Sequence, residues 1–237
     1  MTSEYQIDRV VVPKASGLLA TRLRDLIIQG EFASGDLLPP ERDLVAESGL
    51  SRGSVREALK ILETEGLIEI RAGRSGGARV TVPKRTDLAR STELFVRTNG
   101  VSLEALLDCR IAVEPMLAKL TARNRTEQEL DILRDLHRKF EASTDDIQRY
   151  RRVNFQWHLA VASMSRNEPL TALMEAISTP VYEATGYEVV TTPETRRAAV
   201  MAHAEVMAAI ERQDEAAAAR GMEKHLTAYS SILRSSE

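Results

Sequence analysis

Residues 36 to 82 read DLLPPERDLVAESGLSRGSVREALKILETEGLIEIRAGRSGGARVTV, and the fold of the N-terminal third follows from this run. Glu41 to Glu47 is a short helical pattern entered through Pro39-Pro40, and proline is well placed just at a helix start. Gly49 then supplies the unconstrained backbone that a sharp reversal needs. Ser51 is placed to cap a second helix, whose buried stripe is Val55, Ala58, Leu59 and Leu62. Arg52, Ser54 and Arg56 fall off that stripe, in the first turns. After Gly66, Leu67, Ile68 and Ile70 form one short extended segment and Arg79 to Val82 another, separated by the polar, glycine-rich Ala72 to Gly77. Two helices across a tight turn followed by a hairpin make a helix-turn-helix with a wing, and the first turns of its second helix are where such motifs meet base edges.

Upstream, Leu18, Leu19, Leu23, Leu26 and Ile27 recur at helical spacing and predict a support helix that ends at Gly30 and Gly35. Residues 1 to 14 carry no periodic pattern and are expected to be a mobile arm. The winged domain is placed at 15 to 83. From Pro83 to Thr86 the chain reads as a linker, and beyond it helix follows helix, at about 86–99, 102–123, 126–142, 145–165, 168–185, 193–212 and 214–234. Thr126 and Glu129 form a capping box, Thr192-Pro193 starts the sixth helix, and Pro180 should kink or end the fifth. Residues 84 to 237 are therefore read as a second domain, all helical. The fold class is mostly α: a winged helix-turn-helix followed by a bundle of six to seven helices.

Composition agrees with that class. The chain has 237 residues, enough for two cores, and only 4% aromatic residues, which favours helical packing over a β sandwich. A single cysteine, Cys109, excludes an internal disulfide framework. No run of about 18 apolar residues could span a bilayer, and the N-terminus does not look like a signal peptide, so a cytoplasmic protein is expected. Net charge is -3, yet residues 51 to 85 hold eight basic side chains against four acidic ones. The basic excess lies on the winged motif.

Arginine suits such a motif because its planar fork matches guanine edges or phosphate oxygens with two hydrogen bonds, and hydroxyls such as Ser51 and Ser54 can hold phosphates. The bland alternative is a small helical domain whose arginines pair with Glu41, Glu57 or Glu63. The stretches LPPERDL at 38–44 and LSRGSVREAL at 50–59 resemble the GntR family of bacterial transcription regulators. That resemblance implies operator contacts at Arg42, Arg52, Arg56 and a wing tip formed here by Gly73 and Arg74. Gly53 is a departure, a weaker helix former than the residue usual there.

Three of the four histidines, His158, His203 and His225, lie on apolar stripes of predicted helices. Asn154 and His158, four apart, share a helix face. Each histidine alone is more often a hydrogen-bonded core residue than a ligand, whereas three imidazoles and an amide oxygen together could hold one divalent metal between helices. His137, in the polar run DLHRKFE, reads as solvated or structural. The spacing N-x-x-x-H at 154–158 followed by His203 and His225 resembles the FadR-type branch of the family, with its C-terminal FCD effector domain. The resemblance implies that Asn154, His158, His203 and His225 bind a metal, zinc first and nickel or manganese next, that helps capture a small carboxylate effector. Asn154 stands where the branch usually has an acidic residue.

Arg110 and Glu114 share a helical face with Leu103, Leu107 and Leu117, so both are expected to point inward, where unpaired burial is costly. Either they form an internal ion pair, or Arg110 clamps the effector's carboxylate, as the FCD resemblance implies. Tyr150, Phe155 and Trp157 read as packing residues. The resulting expectation is a homodimeric regulator of operator DNA, repressing in sense as the family resemblance implies, and answering to a short organic acid. Two other classes fit less well: a metal-dependent enzyme fused to a DNA anchor, which lacks HExxH and a clearly placed general base, and a DNA-binding scaffold whose histidines only pack.

Overall fold

The computed structural model describes residues 13–73, 76–183 and 191–234. The chain divides into two compact units on either side of Pro83.

In the first unit, α1 (Ala15–Ile28), α2 (Glu41–Ser48) and α3 (Arg52–Thr64) precede β1 (Ile68–Arg71) and β2 (Gly77–Val80). Gly49 follows α2 in the left-handed region, φ 69°, which a side chain would resist. Ser51 caps α3, its Oγ accepting from the Ser54 amide at 3.1 Å. One core joins the elements: Ala20 and Leu23 from α1, Leu44 from α2, Val55, Ala58, Leu59 and Leu62 from α3, and Ile68, Ala78 and Val80 from the hairpin. Burying each of the larger side chains contributes about 1.5–3 kcal/mol.

The hairpin differs from the expectation of a second strand at Arg79 to Val82. Its antiparallel register runs from Ile68 opposite Val80 to Arg71 opposite Gly77. The strand begins two residues earlier because Gly77 and Ala78 pair with Arg71 and Ile70, and Ala78 turns its methyl into the core. The linker before α2 joins the other edge of β2: Leu38 donates to the Ala78 carbonyl at 2.8 Å, Val80 donates to Asp36 at 2.8 Å, and Leu37 bridges Arg79. No sequence signal had marked residues 36–38 as extended in this way.

Gly53 adopts an ordinary helical backbone, and a Cβ there would meet only Ser51 Oγ at 3.7 Å. Gly53→Ala is therefore expected to stabilise the protein by about 0.5–1 kcal/mol, from helix propensity, read as a higher urea midpoint by circular dichroism.

Seven helices make up the described part of the second unit: α4 (Arg85–Thr98), α5 (Leu103–Asn124), α6 (Glu127–Glu141), α7 (Ile147–Met164), α8 (Glu168–Glu183), α9 (Pro193–Glu211) and α10 (Glu215–Arg234). The Thr126–Glu129 capping box and the Thr192 cap with Pro193 behind it are both present. Pro180 does not end α8, which continues to Glu183, and α5 likewise runs through Pro115. Buried faces on both helices supply packing that offsets the one hydrogen bond each proline removes.

Helix α5 is central, packed against α7, α8, α9 and α10. Its Ala118 and Ala122 share one core with Leu130 and Leu133 of α6, Trp157 and Val161 of α7, Val206 and Ile210 of α9, and Met222 and Leu226 of α10. Gly221 lets α10 approach α9 closely, since a Cβ there would lie 3.1 Å from Val206 Cγ2. That convergence of α5, α7, α9 and α10 carries the histidines to one point.

Candidate metal centre and DNA-reading face

His158 on α7, His203 on α9 and His225 on α10 each offer a ring nitrogen, and the three atoms lie within 4.8 Å of one another. His203 Nε2 and His225 Nε2 are 3.1 Å apart. Two metal–nitrogen bonds of about 2.05 Å at an angle of roughly 98° span that distance, so the spacing suits one ion. His158 Nε2 is buried and has no hydrogen-bond partner among the described residues, an orphaned lone pair that an ion would satisfy.

The rings are fixed by what surrounds them. His203 lies between Phe140, with ring centroids 4.6 Å apart, and Trp157, at 4.0 Å, both stacked on it. His158 Nδ1 is 2.5 Å from Glu114 Oε2, and the other Glu114 oxygen accepts from Arg110 Nε. The expected Arg110–Glu114 ion pair is thus present and buried. It is the inner half of a chain that continues to His158.

Burial pushes all three imidazoles below their ordinary range. His203 falls well below it, helped by the nearby His225 and His158, and His225 falls to about 3. For His158 burial outweighs the opposing pull of Glu114. The three are uncharged at neutral pH, the state in which imidazole donates a lone pair to a metal. Burial pushes the Glu114 carboxyl up, but Arg110 and His158 more than offset this and lower it to about 2.

Two cavities flank the cluster, and Arg110 and Asn154 line both. One, with a cavity volume of about 30 Å³, is walled by Arg151, Phe155, His158, Ser178 and Tyr182. The other is walled by Tyr150, Thr191, Thr195, His225 and Tyr229. Phe155 and Tyr150, read from the sequence as packing residues, are cavity walls, and Trp157 packs on a candidate ligand. Their helical spacing alone does not separate a core position from one beside a void. His137 is half-buried on α6, its Nδ1 without a partner among the described residues, and lies outside the three-histidine cluster.

In the first unit, the first turn of α3 presents Arg52, exposed and in no ion pair among the described residues, with half-buried Ser54 beside it. Ser51 Oγ lies 3.0 Å from Ser54 Oγ. Arg56 pairs with Glu41 at 2.8 Å, and Arg42, 82% exposed, pairs with Asp43 at 3.0 Å. These pairs are exposed and weak enough for phosphate or base edges to displace. Gly73 is exposed at the start of the wing tip with φ 112°. Arg74 lies outside the described residues.

A model for bacterial regulatory proteins of the gntR family matches residues 4–77, and one for the FCD domain matches residues 105–228. An uncharacterised HTH-type transcriptional regulator of Mycobacterium tuberculosis is 37% identical over 116 residues, 48% of this chain and 47% of that one, so the chain spans about half the length of that relative. The HTH-type transcriptional regulator LutR of Bacillus subtilis is 30% identical over 158 residues, 67% of this chain and 71% of its own length. Among solved structures, Streptococcus agalactiae GntR superposes with a TM-score of 0.61 at 22% identity, covering 91% of this chain and 99% of that one. These relatives are transcription regulators rather than enzymes. With its winged helix-turn-helix, its helical domain and its buried cluster of three histidines, the chain belongs to the GntR family, in the branch that carries an FCD domain.

Proposed function

We propose that this DNA-binding regulator is a homodimeric repressor whose hold on its operator is set by a short organic acid bound beside a divalent metal in the helical domain. The observation that carries the reading is the meeting of three histidine nitrogens within 4.8 Å of one another, next to cavities lined by Arg110 and Asn154. His158, His203 and His225 would hold the ion, with Asn154, one turn before His158, as the fourth protein group. The bound metal supplies a double positive charge and a position for a carboxylate oxygen. Arg110, held inside by Glu114, faces the same space and suits the other carboxylate oxygen. Zinc is the metal the three-imidazole donor set fits first.

In the winged domain, Arg52 and Arg56 are assigned to base edges or adjacent phosphates, Arg42, Ser51 and Ser54 to the backbone, and the Gly73–Arg74 tip to the flanking groove. Two copies would read the two halves of a near-palindromic operator. An effector shifts operator affinity only if it binds the DNA-competent and the released arrangements differently.

Metal analysis of protein purified without a histidine tag tests the site. About one zinc, nickel or manganese ion per chain is expected, removable by chelator and restored by added zinc. Protein that is metal-free as purified and takes up none would leave the histidines as packing residues.

A further inference from the structure

Glu114 is 2% exposed and sits on α5, while His158, its partner, sits on α7. Nothing in the local spacing of either helix announces the contact. An ionised carboxylate can only accept, so a bond from His158 Nδ1 to Glu114 Oε2 requires the proton on Nδ1. The lone pair is then on Nε2, which has no other partner among the described residues and is the nitrogen that Glu114 leaves free to serve the three-histidine cluster. Arg110 holds the second carboxylate oxygen, so the carboxylate is fixed from both ends. His203 is restrained differently, by the stacked rings of Phe140 and Trp157, and its Nδ1 has no such acceptor among the described residues.

We propose that Glu114 is a positioning residue of the metal site, which sets the tautomer and plane of His158 so that Nε2 is presented to the ion while Arg110 keeps the carboxylate in place. The proposal rests on the metal reading above and assigns a role to a residue that would not itself touch the ion. Carboxylates behind metal-bound histidines act in this way elsewhere, and their loss costs about 10–100-fold in metal affinity. The competing role for Glu114 is simply to neutralise the buried Arg110.

The test is zinc affinity of the full-length, tag-free protein, measured by competition with a chromophoric chelator, together with long-range 15N–1H spectra of the metal-free protein. Wild type should bind zinc tightly and show His158 with its proton on Nδ1. Glu114→Gln should bind zinc about 10–100-fold more weakly and show His158 as a mixture of tautomers, a signature that charge balance alone would not move.

Should Glu114→Gln fail to fold with Arg110 left unpaired, the double variant Arg110→Met with Glu114→Gln removes both charges. Loss of the arginine by itself favours a bound cation, so the double variant is compared with Arg110→Met, against which it is expected to bind zinc about 10–100-fold more weakly. A double variant that bound zinc as tightly as Arg110→Met would reduce Glu114 to a counter-ion and overturn the proposal. Wild type and Glu114→Gln binding with equal, high affinity would also overturn it, leaving the metal reading intact. Wild type that bound no zinc would overturn both together.

Discussion

His203→Ala is expected to abolish zinc binding and to lower the stability of the helical domain by roughly 2–5 kcal/mol. The two effects have separate causes in one side chain. Its Nε2 stands 3.1 Å from that of His225, so the substitution removes one of three imidazole donors from the cluster. That should exceed the about 10–100-fold cost of losing a residue behind a ligand. Its ring also fills the space between Phe140 and Trp157 with no exposure to solvent, and alanine would leave a cavity that those two large rings close only in part. Thermal unfolding separates the effects: zinc should raise the midpoint of wild type through binding to the folded state, but leave that of His203→Ala unmoved. Because Trp157 is the chain's sole tryptophan, its emission should respond to zinc in wild type and not in the variant. Zinc stabilising both proteins equally would place the ion elsewhere.

The second large effect belongs to the reading helix. Arg52→Ala should weaken specific operator binding by about 1–3 kcal/mol if Arg52 reaches a base edge, and Arg56→Ala should act in the same range but somewhat less. The difference arises because Arg52 has no ion pair among the described residues, whereas Arg56 must first leave Glu41. Fluorescence anisotropy on operator and on random duplexes would check this over a range of salt. A loss confined to the operator marks a base contact. An equal loss on both, with a shallower salt slope, marks a phosphate contact instead.

Much of the first domain was legible because its signals are local. Pro39-Pro40, Gly49, the Ser51 cap and the stripe Val55, Ala58, Leu59, Leu62 each declare a structure within a few residues of themselves. The third edge of the hairpin was not legible, since Asp36 to Leu38 become extended only by pairing with residues some forty positions later. Helical spacing similarly brought Asn154 and His158 to one face and set His203 and His225 on apolar stripes of their own helices, and the resemblance implied that the four share one site. It could not show the bond between Glu114 and His158, 44 residues apart, nor that His203 would be stacked between two rings. Of the two outcomes expected at Pro180, a kink or an end, the helix does not end there: a proline's local cost is fixed, but the packing that offsets it comes from distant helices.

The central claim is that an acid held at the metal controls the grip on DNA. The most direct measurement is operator affinity, by anisotropy, for zinc-loaded and chelator-stripped protein, each with and without the short hydroxy or keto acid that most raises thermal stability. The account predicts that the acid weakens operator binding by the zinc-loaded protein and has no effect on the stripped protein. An acid that shifted operator affinity equally in both would contradict it.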